Sequence, residues 1–235
     1  MRMALFRRKE IWGEDPLRFL PRLFVRLYSM WARATYPFAS IGRDVEIHYS
    51  WDLQKYLAHR VKLGSSIFIG KDVQFGVSCP HREEKGEPVI VIEDGCDINR
   101  QSQISARNFI HIERDVLVSS SVLIMDHGHA HEDVSLPIKK QGITPGGKIR
   151  IEQGCWIGRG AAVVCSQGEL VLGRNSVVAV NAIVTRSFPP YSVIAGNPAR
   201  AVKQFDPDKQ AWVMGSRRLT ETEPAKEKDL ARAIG

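Results

Sequence analysis

Aliphatic residues recur every six positions through much of this 235-residue chain. The recurrence falls into four runs of three, separated by interruptions of different lengths. The runs are Ile92, Ile98 and Ile104; Ile112, Val118 and Ile124; Ile151, Ile157 and Val163; and Leu172, Val178 and Val184. A six-residue period matches neither the 3.6-residue period of an α-helix nor the alternation of strands joined by hairpin turns. It therefore predicts a solenoid in which each unit forms one short segment.

Small or modest side chains occupy the position four residues after many of the recurring aliphatic residues. They are Cys96, Ser102, Val116, Val122, Cys155, Ala161, Ser176 and Ala182. Three units close one triangular coil, with the aliphatic residues inside and the small residues where the interior is narrow. Less regular units begin near Ile41. The sequence therefore predicts a mainly-β chain with a parallel β-helix of hexapeptide repeats over residues 41–204.

The segments on either side of the repeats carry different patterns. In residues 15–36, apolar residues recur at helical spacing among arginines, which predicts an amphipathic helix within a basic segment 1–40. Its apolar side can pack against the body or a neighbouring subunit, or it can lie on an anionic bilayer. Segment 205–235 is polar and charged apart from Trp212 and Val213. For this segment we expect a short helix followed by a tail.

Charge and cysteine content narrow the classes of function. The chain carries 33 Lys and Arg against 26 Asp and Glu, a net charge of +7, which suits nucleic acid, an anionic membrane or a phosphorylated ligand. No nucleic-acid module is recognisable, so we expect no nucleic-acid partner. The cysteines, Cys79, Cys96, Cys155 and Cys165, lack CxxC spacing and are expected to be reduced packing residues. Without a signal peptide or a run of about 18 apolar residues, we expect a cytoplasmic protein.

Two interruptions break the repeat, a short charged one at residues 80–88 and a longer one at 125–148. A solenoid admits insertions at its corners, where they protrude and often carry function. The longer loop holds His127, His129 and His131. One interpretation is a solvated polar loop. A metal site is disfavoured because alternating histidines lack the usual ligand spacings, whereas a general base suits histidine because its neutral form is available near neutral pH.

At this point the sequence resembles a known family. The segments DHGH, GCWIGRGAAVV and NSVVAVNAIVTRSFPPYSVIAGNPARAVK are similar to those of the hexapeptide-repeat acetyltransferases, particularly the sugar O-acetyltransferases of bacterial surface-polysaccharide pathways. The resemblance covers residues 90–203. It implies a left-handed parallel β-helix, a homotrimer with active sites between adjacent prisms, acetyl-CoA as co-substrate, no metal, and a loop histidine that deprotonates the acceptor. It also places the protein in a bacterium. The arginine-rich helical pattern of residues 15–36 separately makes that segment a candidate peripheral contact with the inner membrane.

Two arguments disagree on which histidine is the base. Counting five residues from Ile124 without a gap places the family base at His129. Matching the Asp-His pair of the polysaccharide branch places it at His127, after Asp126. Both histidines remain candidates.

The resemblance also assigns binding residues by position. Asn99 matches an acceptor-binding asparagine, whose amide can both donate to and accept from a sugar hydroxyl, and Asp126 is taken with it as substrate-binding. The residues assigned to acetyl-CoA are Arg159, Val180, Thr185, Arg186, Arg200 and Lys203. The basic residues among them suit the phosphates of CoA, although Arg159 departs from the smaller residue that is common in the family.

Three classes of function follow from these assignments. The first is an O-acetyltransferase acting on a sugar or polysaccharide precursor. The second is an N-acetyltransferase acting on an amino sugar or another amine, since histidine serves either acceptor. The third is a noncatalytic β-helix binding module, a role for which solenoids are well suited.

Overall fold

A computed structural model describes residues 16–80 and 86–214 of the chain. Most of the short interruption (81–85), the N-terminal 15 residues and residues 215–235 lie outside the described residues. Within the described part, consecutive short strands pass from one parallel sheet to the next, so that three sheets form the faces of a coiled prism.

The three sheets are named in the order in which the chain meets them. The first face contains β1 (Ser40–Ile41), β3 (Val61–Leu63), β6 (Ile90–Ile92), β9 (Phe109–Ile112), β12 (Lys148–Ile151) and β15 (Glu169–Leu172). The second contains β2 (Glu46–Ile47), β4 (Phe68–Ile69), β7 (Asp97–Ile98), β10 (Leu117–Val118), β13 (Trp156–Ile157), β16 (Val177–Val178) and β18 (Ser192–Ala195). The third contains β5 (Gln74–Val77), β8 (Gln103–Ala106), β11 (Leu123–Met125), β14 (Ala162–Val164) and β17 (Ile183–Val184).

Strand register confirms the six-residue period. Each predicted run is one coil, with its three aliphatic residues on the first, second and third faces in turn. Ile92 pairs with Ile112 on the first face, for example, and Ile98 pairs with Val118 on the second. All twelve aliphatic residues of the four runs are at most 1% exposed, and so are the eight small residues that follow them. The core is therefore the interior of the prism, built from the residues that the repeat identifies.

The corners of the coil are of two kinds. At the corners that follow the first and second faces, the residue three positions after the aliphatic residue has a φ between 53° and 76° in all four coils: Gly95, Gln101, Asp115, Ser121, Gly154, Gly160, Asn175 and Asn181. This left-handed conformation favours glycine and asparagine and turns the chain tightly. The corner between the third and first faces lacks this pattern, and both interruptions of the repeat occur there.

Helix α1 (Pro16–Thr35) lies against β2 at the N-terminal end of the prism, which confirms a helix in this segment. The face that it turns to the body is the small and polar one, since Ser29 and Ala32 are buried while Leu27 and Met30 are exposed. Two shorter helical segments follow, a 3-10 helix at Lys55–Arg60 and α2 (Ile138–Gln141). Over residues 16–80 and 86–214, no helix is both long and apolar enough to cross a bilayer.

The predicted helix after Phe205 is wrong as far as Met214. The chain instead forms β19 (Arg200–Asp206), antiparallel to β18, and β20 (Ala211–Met214), antiparallel to β19. Trp212 lies opposite Phe205, with ring centroids 5.7 Å apart. This hairpin continues the second face beyond the last coil.

All four cysteines are free and buried, as expected of packing residues. Burial raises the pKa of the Cys96 thiol to about 12 and that of the Cys155 thiol to about 11. A buried thiol with a raised pKa is a poor nucleophile because the reactive form is the thiolate. These two cysteines therefore serve packing.

Strand β16 offers a matched test of the inward register. Val178 is fully buried, whereas its neighbour Val177 points outward and is partly exposed. We expect Val178→Ala to lower the free energy of unfolding by about 2 kcal/mol, because it removes buried methyl groups and leaves a cavity. Val177→Ala should cost less than about 0.5 kcal/mol. Urea denaturation of both variants checks this, and equal losses would contradict the assigned register.

Candidate active site

The histidine loop leaves the prism after β11 on the third face and returns at β12 on the first. Its base is closed by hydrogen bonds between the outgoing and returning segments. The N–H of Thr144 donates to the carbonyl of Gly128 at 2.8 Å, and the N–H of Gly128 donates to the Thr144 hydroxyl at 3.0 Å. The N–H of Ala130 donates to the carbonyl of Gly142 at 3.1 Å. The loop is therefore held where it joins the prism.

Asp126 begins the loop and is completely buried. Its carboxylate accepts three backbone N–H groups from the corner that leads into β9, one turn earlier in the chain. The N–H of Arg107 donates to Oδ1 at 2.7 Å, and those of Asn108 and Phe109 donate to Oδ2 at 2.8 and 2.9 Å. The predicted role of Asp126 in substrate binding would have to be indirect, because its oxygens are buried and engaged by these donors. Its role in the structure is to fix the start of the loop to the coil beneath.

The same carboxylate holds the ring of His127. Nδ1 of His127 lies 2.9 Å from Asp126 Oδ1, and the histidine is 8% exposed. A carboxylate can only accept, so in the neutral imidazole Nδ1 carries the proton and Nε2 carries the lone pair. Within the described part of the chain, no protein group forms a hydrogen bond with Nε2. His127 is thus oriented by a buried acid and keeps one basic nitrogen available, the arrangement of a general base.

His129 and His131 lie farther along the loop and are exposed. Nδ1 of His129 is 3.3 Å from the carbonyl of Gly142, and Nδ1 of His131 is 3.3 Å from the carbonyl of His129. Neither ring forms a hydrogen bond with a carboxylate among the residues that the structure describes. Among residues 16–80 and 86–214, no group of three or more His, Cys, Asp and Glu side chains is placed to hold a metal ion.

A groove of about 560 Å³ runs along the corner between the second and third faces. Asn99 lies in it, and its amide nitrogen donates to the carbonyl of Val118 at 2.9 Å, which leaves the amide oxygen for a ligand. Trp156 forms part of the wall, with its indole N–H held by the Ser119 hydroxyl at 2.9 Å. The groove therefore combines a fixed aromatic surface with polar groups, a combination suited to small polar ligands.

Sequence reasoning missed several residues of this groove. Lys71, Arg100, Ser119 and Ser120 all line it. Each follows an inward aliphatic residue of the second face by one or two positions, so the signal was present in the six-residue register. That register alone does not predict a groove, because solvated charges are common at solenoid corners. The four side chains come together only when the coils stack.

The residues assigned to acetyl-CoA fall into three places. Arg159 and Val180 are exposed at the corner between the second and third faces, in line with the groove. Thr185 and Arg186 follow β17 at the opposite edge of the third face, where Arg186 lies over the ring of Phe188. Arg200 and Lys203 are exposed on β19.

Within one chain, the third face separates the groove from the histidine loop. Asn99 lies at the corner before this face, whereas His127 lies at the corner after it. A single copy therefore presents the candidate base and the candidate acceptor residue at different edges of the prism.

No protein-family model matches the sequence. The chain is 28% identical over 158 residues to WbbJ of Escherichia coli, named as an O-acetyl transferase of lipopolysaccharide biosynthesis, covering 65% of this chain and 79% of that protein. It is 30% identical over 163 residues to Rv3034c of Mycobacterium tuberculosis, named as an acetyltransferase, covering 69% of this chain. The chain spans only about half of that second relative (49%).

Solved structures share the fold at low sequence identity. A mutant of AntD, an N-acyltransferase from Bacillus cereus in complex with dTDP-4-amino-4,6-dideoxyglucose and coenzyme A, superposes with a TM-score of 0.60 at 15% identity, over 75% of this chain and 89% of that one. The hexapeptide-repeat acetyltransferase VCA0836 from Vibrio cholerae gives 0.51 at 20% identity, over 77% and 81%. The two relatives show that this chain belongs to the acetyltransferases, as predicted, and the solved structures show that it shares the fold of the hexapeptide-repeat members.

Proposed function

We propose that this protein transfers an acetyl group from acetyl-CoA to a hydroxyl group of a sugar or surface-polysaccharide precursor, with His127 as general base. The observation that carries the proposal is the buried Asp126–His127 pair at the base of the loop, which leaves Nε2 of His127 as the basic nitrogen. The choice of a sugar hydroxyl as acceptor is supported by the similarity to WbbJ, named as an O-acetyl transferase of lipopolysaccharide biosynthesis.

The chemistry follows from that nitrogen. Nε2 removes the proton of the acceptor hydroxyl as its oxygen attacks the carbonyl carbon of the thioester. The new C–O bond forms, the C–S bond breaks, and the imidazolium returns the proton to the departing thiolate. Asp126 stabilises the imidazolium through its bond to Nδ1, as the acid of a catalytic triad does. Holding the two substrates together in one cleft supplies much of the remaining rate advantage.

Acetyl-CoA is assigned to the basic and corner residues. Arg159, Arg186, Arg200 and Lys203 are exposed cations that suit the CoA phosphates through charge-assisted hydrogen bonds. Val180, 60% exposed, offers backbone contacts, and Thr185 with Arg186 is assigned to the nucleotide end of CoA. CoA in the AntD complexes supports this assignment at the level of a shared fold.

We further propose that the site is completed between copies of the chain. The separation of Asn99 and His127 by the third face is the observation that favours this arrangement. In a homotrimer of left-handed coils, the loop of one prism faces the groove of the next, so that each cleft takes its base from one copy and its acceptor residues from another. Rotational symmetry repeats this contact in a closed ring.

The acceptor is tested by a free-thiol assay with acetyl-CoA and a panel of sugars, nucleotide sugars and amino sugars. We expect thiol release with a hydroxyl acceptor, and a product whose acetyl group is removed by mild alkali, as esters are. An alkali-stable product formed only with amino sugars would favour N-acetylation. Thiol release with none of them would favour a noncatalytic binding module.

Mixed oligomers test the shared cleft. Asn99→Ala and His127→Ala chains, each of low activity alone, are refolded together and the mixed species are confirmed by native mass spectrometry. We expect about a quarter of wild-type activity, because a quarter of the clefts then combine an intact His127 with an intact Asn99 from the neighbouring copy. Mixed species that stay at parental activity would show that each cleft belongs to one chain.

A further inference from the structure

Helix α1 is attached to the body by its small and polar face. The Ser29 hydroxyl accepts the N–H of Ile47 at 2.8 Å and donates to the carbonyl of Val25 at 2.7 Å. Ala32 is fully buried, and the indole N–H of Trp51 donates to the Tyr28 hydroxyl at 3.0 Å. These contacts fix the rotation of the helix about its axis, and so determine which face it turns outward.

The outward face is apolar and large. Its residues are Leu20 (68% exposed), Leu23 (40%), Phe24 (55%), Leu27 (55%), Met30 (68%) and Trp31 (49%). Tyr49, itself half exposed, extends the surface by packing edge-on against Phe24 with ring centroids 5.3 Å apart. A contiguous apolar surface of this size marks an interaction site, whereas single exposed apolar residues do not.

Positive charge borders this surface on both sides. Arg22, Arg26 and Arg33 are exposed, and at about 100° per residue they fall within about 40° of one another on one flank of the apolar face. On the other flank, the ammonium group of Lys55 lies 5.7 Å from the centre of the Trp31 ring. The helix sequence PLRFLPRLFVRLYSMWARAT contains no acidic residue.

We propose that this face of α1 docks on an anionic phospholipid surface. The helix lies in the plane of the interface, with its leucine, phenylalanine and methionine side chains among the acyl chains and its arginines at the lipid phosphates. Trp31 and Tyr49 are at the level where aromatic side chains prefer the headgroup region. The surface meets the groove at one point, since the Tyr49 ring lies 4.3 Å from the ring of His48 in the groove wall. Docking on lipid is nevertheless independent of which acceptor is acetylated.

Charge is what favours a lipid over a second copy of this chain. Two α1 helices packed face to face would set the arginine flank of one against the arginine flank of the other if antiparallel, or against its Lys55 flank if parallel, without an acidic residue on either helix. Like charges at close range oppose both contacts. A bilayer rich in anionic lipid matches the helix surface better. Its apolar interior receives the apolar face, and its phosphate groups lie at the height of the flanking cations.

Vesicle sedimentation of the full-length protein tests the proposal. We expect binding to phosphatidylcholine vesicles that contain phosphatidylglycerol, little binding to phosphatidylcholine alone, and release at high salt because charge attraction is screened. Arg22→Gln/Arg26→Gln should weaken binding by about 25-fold, since each charge near the surface contributes about fivefold. Equal binding to both vesicle types, or no binding, would overturn the proposal.

A matched pair of variants separates the helix face from general surface effects. Leu27→Glu/Met30→Glu should lose at least about tenfold in vesicle affinity, because charged side chains must then enter the apolar layer. Val134→Glu/Met214→Glu makes the same change of charge at two exposed apolar residues elsewhere (99% and 73% exposed) and should bind far better. Equal losses in both, or a change of oligomer mass for the helix variant with vesicle binding unchanged, would show that α1 does not dock on lipid.

Discussion

Replacing His127 by alanine is expected to lower kcat for acetyl transfer by about 10²–10⁴-fold, the usual contribution of a positioned general base. The reason is that Nε2 of this ring is the nitrogen left basic by the bond from Nδ1 to Asp126. KM for acetyl-CoA should change little, because the CoA contacts are assigned to other residues. Steady-state kinetics with the acceptor found in the thiol assay measures both constants.

His129→Ala is the matched control, since it removes the same side chain two residues away. His129 is exposed, and its ring contacts a backbone carbonyl at 3.3 Å. We expect it to keep activity within about fivefold of wild type, the effect of a small disturbance to the loop. The opposite ranking of the two variants would move the base to His129, and near-normal kcat in both would remove histidine catalysis altogether.

Asp126→Asn is the second change for which a large effect is expected. Each carboxylate oxygen faces two donors: the Arg107 N–H and the His127 ring at Oδ1, and the Asn108 and Phe109 N–H groups at Oδ2. An asparagine amide replaces one oxygen with an NH₂ group. In either orientation of the amide, that NH₂ group faces two N–H donors that have lost their acceptor. We expect a loss of about 3 kcal/mol in the free energy of unfolding, because buried donors are left unpaired.

The same substitution should lower kcat on the order of 10³-fold, because the amide either turns its NH₂ group to Nδ1 of His127, which reverses the tautomer, or keeps an oxygen there without the negative charge that stabilises the imidazolium. Thermal unfolding and steady-state kinetics on one preparation separate the two effects. Asp133→Asn is the control, since Asp133 is an exposed carboxylate of the same loop whose partner among residues 16–80 and 86–214 is Ser135. It should unfold and turn over like the wild type. An Asp126→Asn protein with normal stability and turnover would contradict the role given to the pair.

The coil was predictable from the sequence because a solenoid repeats one local environment. Every unit must put an aliphatic residue into the prism and a small residue into the narrow part of it, so Ile98 and Ser102 identify their own positions without reference to distant contacts. Both are at most 1% exposed. The tight corners are equally local, since Asn175 and Asn181 adopt the left-handed conformation that asparagine tolerates.

The C-terminal segment and the outward face of α1 were not predictable in this way. Trp212 and Val213 favour a strand, but two such residues in a polar segment are too few to predict one, and they form a strand because β19 offers them an open edge. Helical spacing in residues 15–36 identifies an apolar side but not where it points. That side points outward because Ser29 and Ala32 allow a closer approach to β2 than leucine or phenylalanine would.

The Asp126–His127 pair shows the same division at the candidate site. The position of both residues just after the inward Ile124 follows from the repeat, and their chemistry follows from their side chains. Their separate roles do not follow from the sequence. The partners of Asp126 are backbone groups of residues 107–109, one turn of the coil earlier in the chain. Repetition of one six-residue environment therefore determined the prism from sequence, whereas contacts between successive turns of the coil showed that Asp126 holds the ring of His127, the observation on which the proposed base depends.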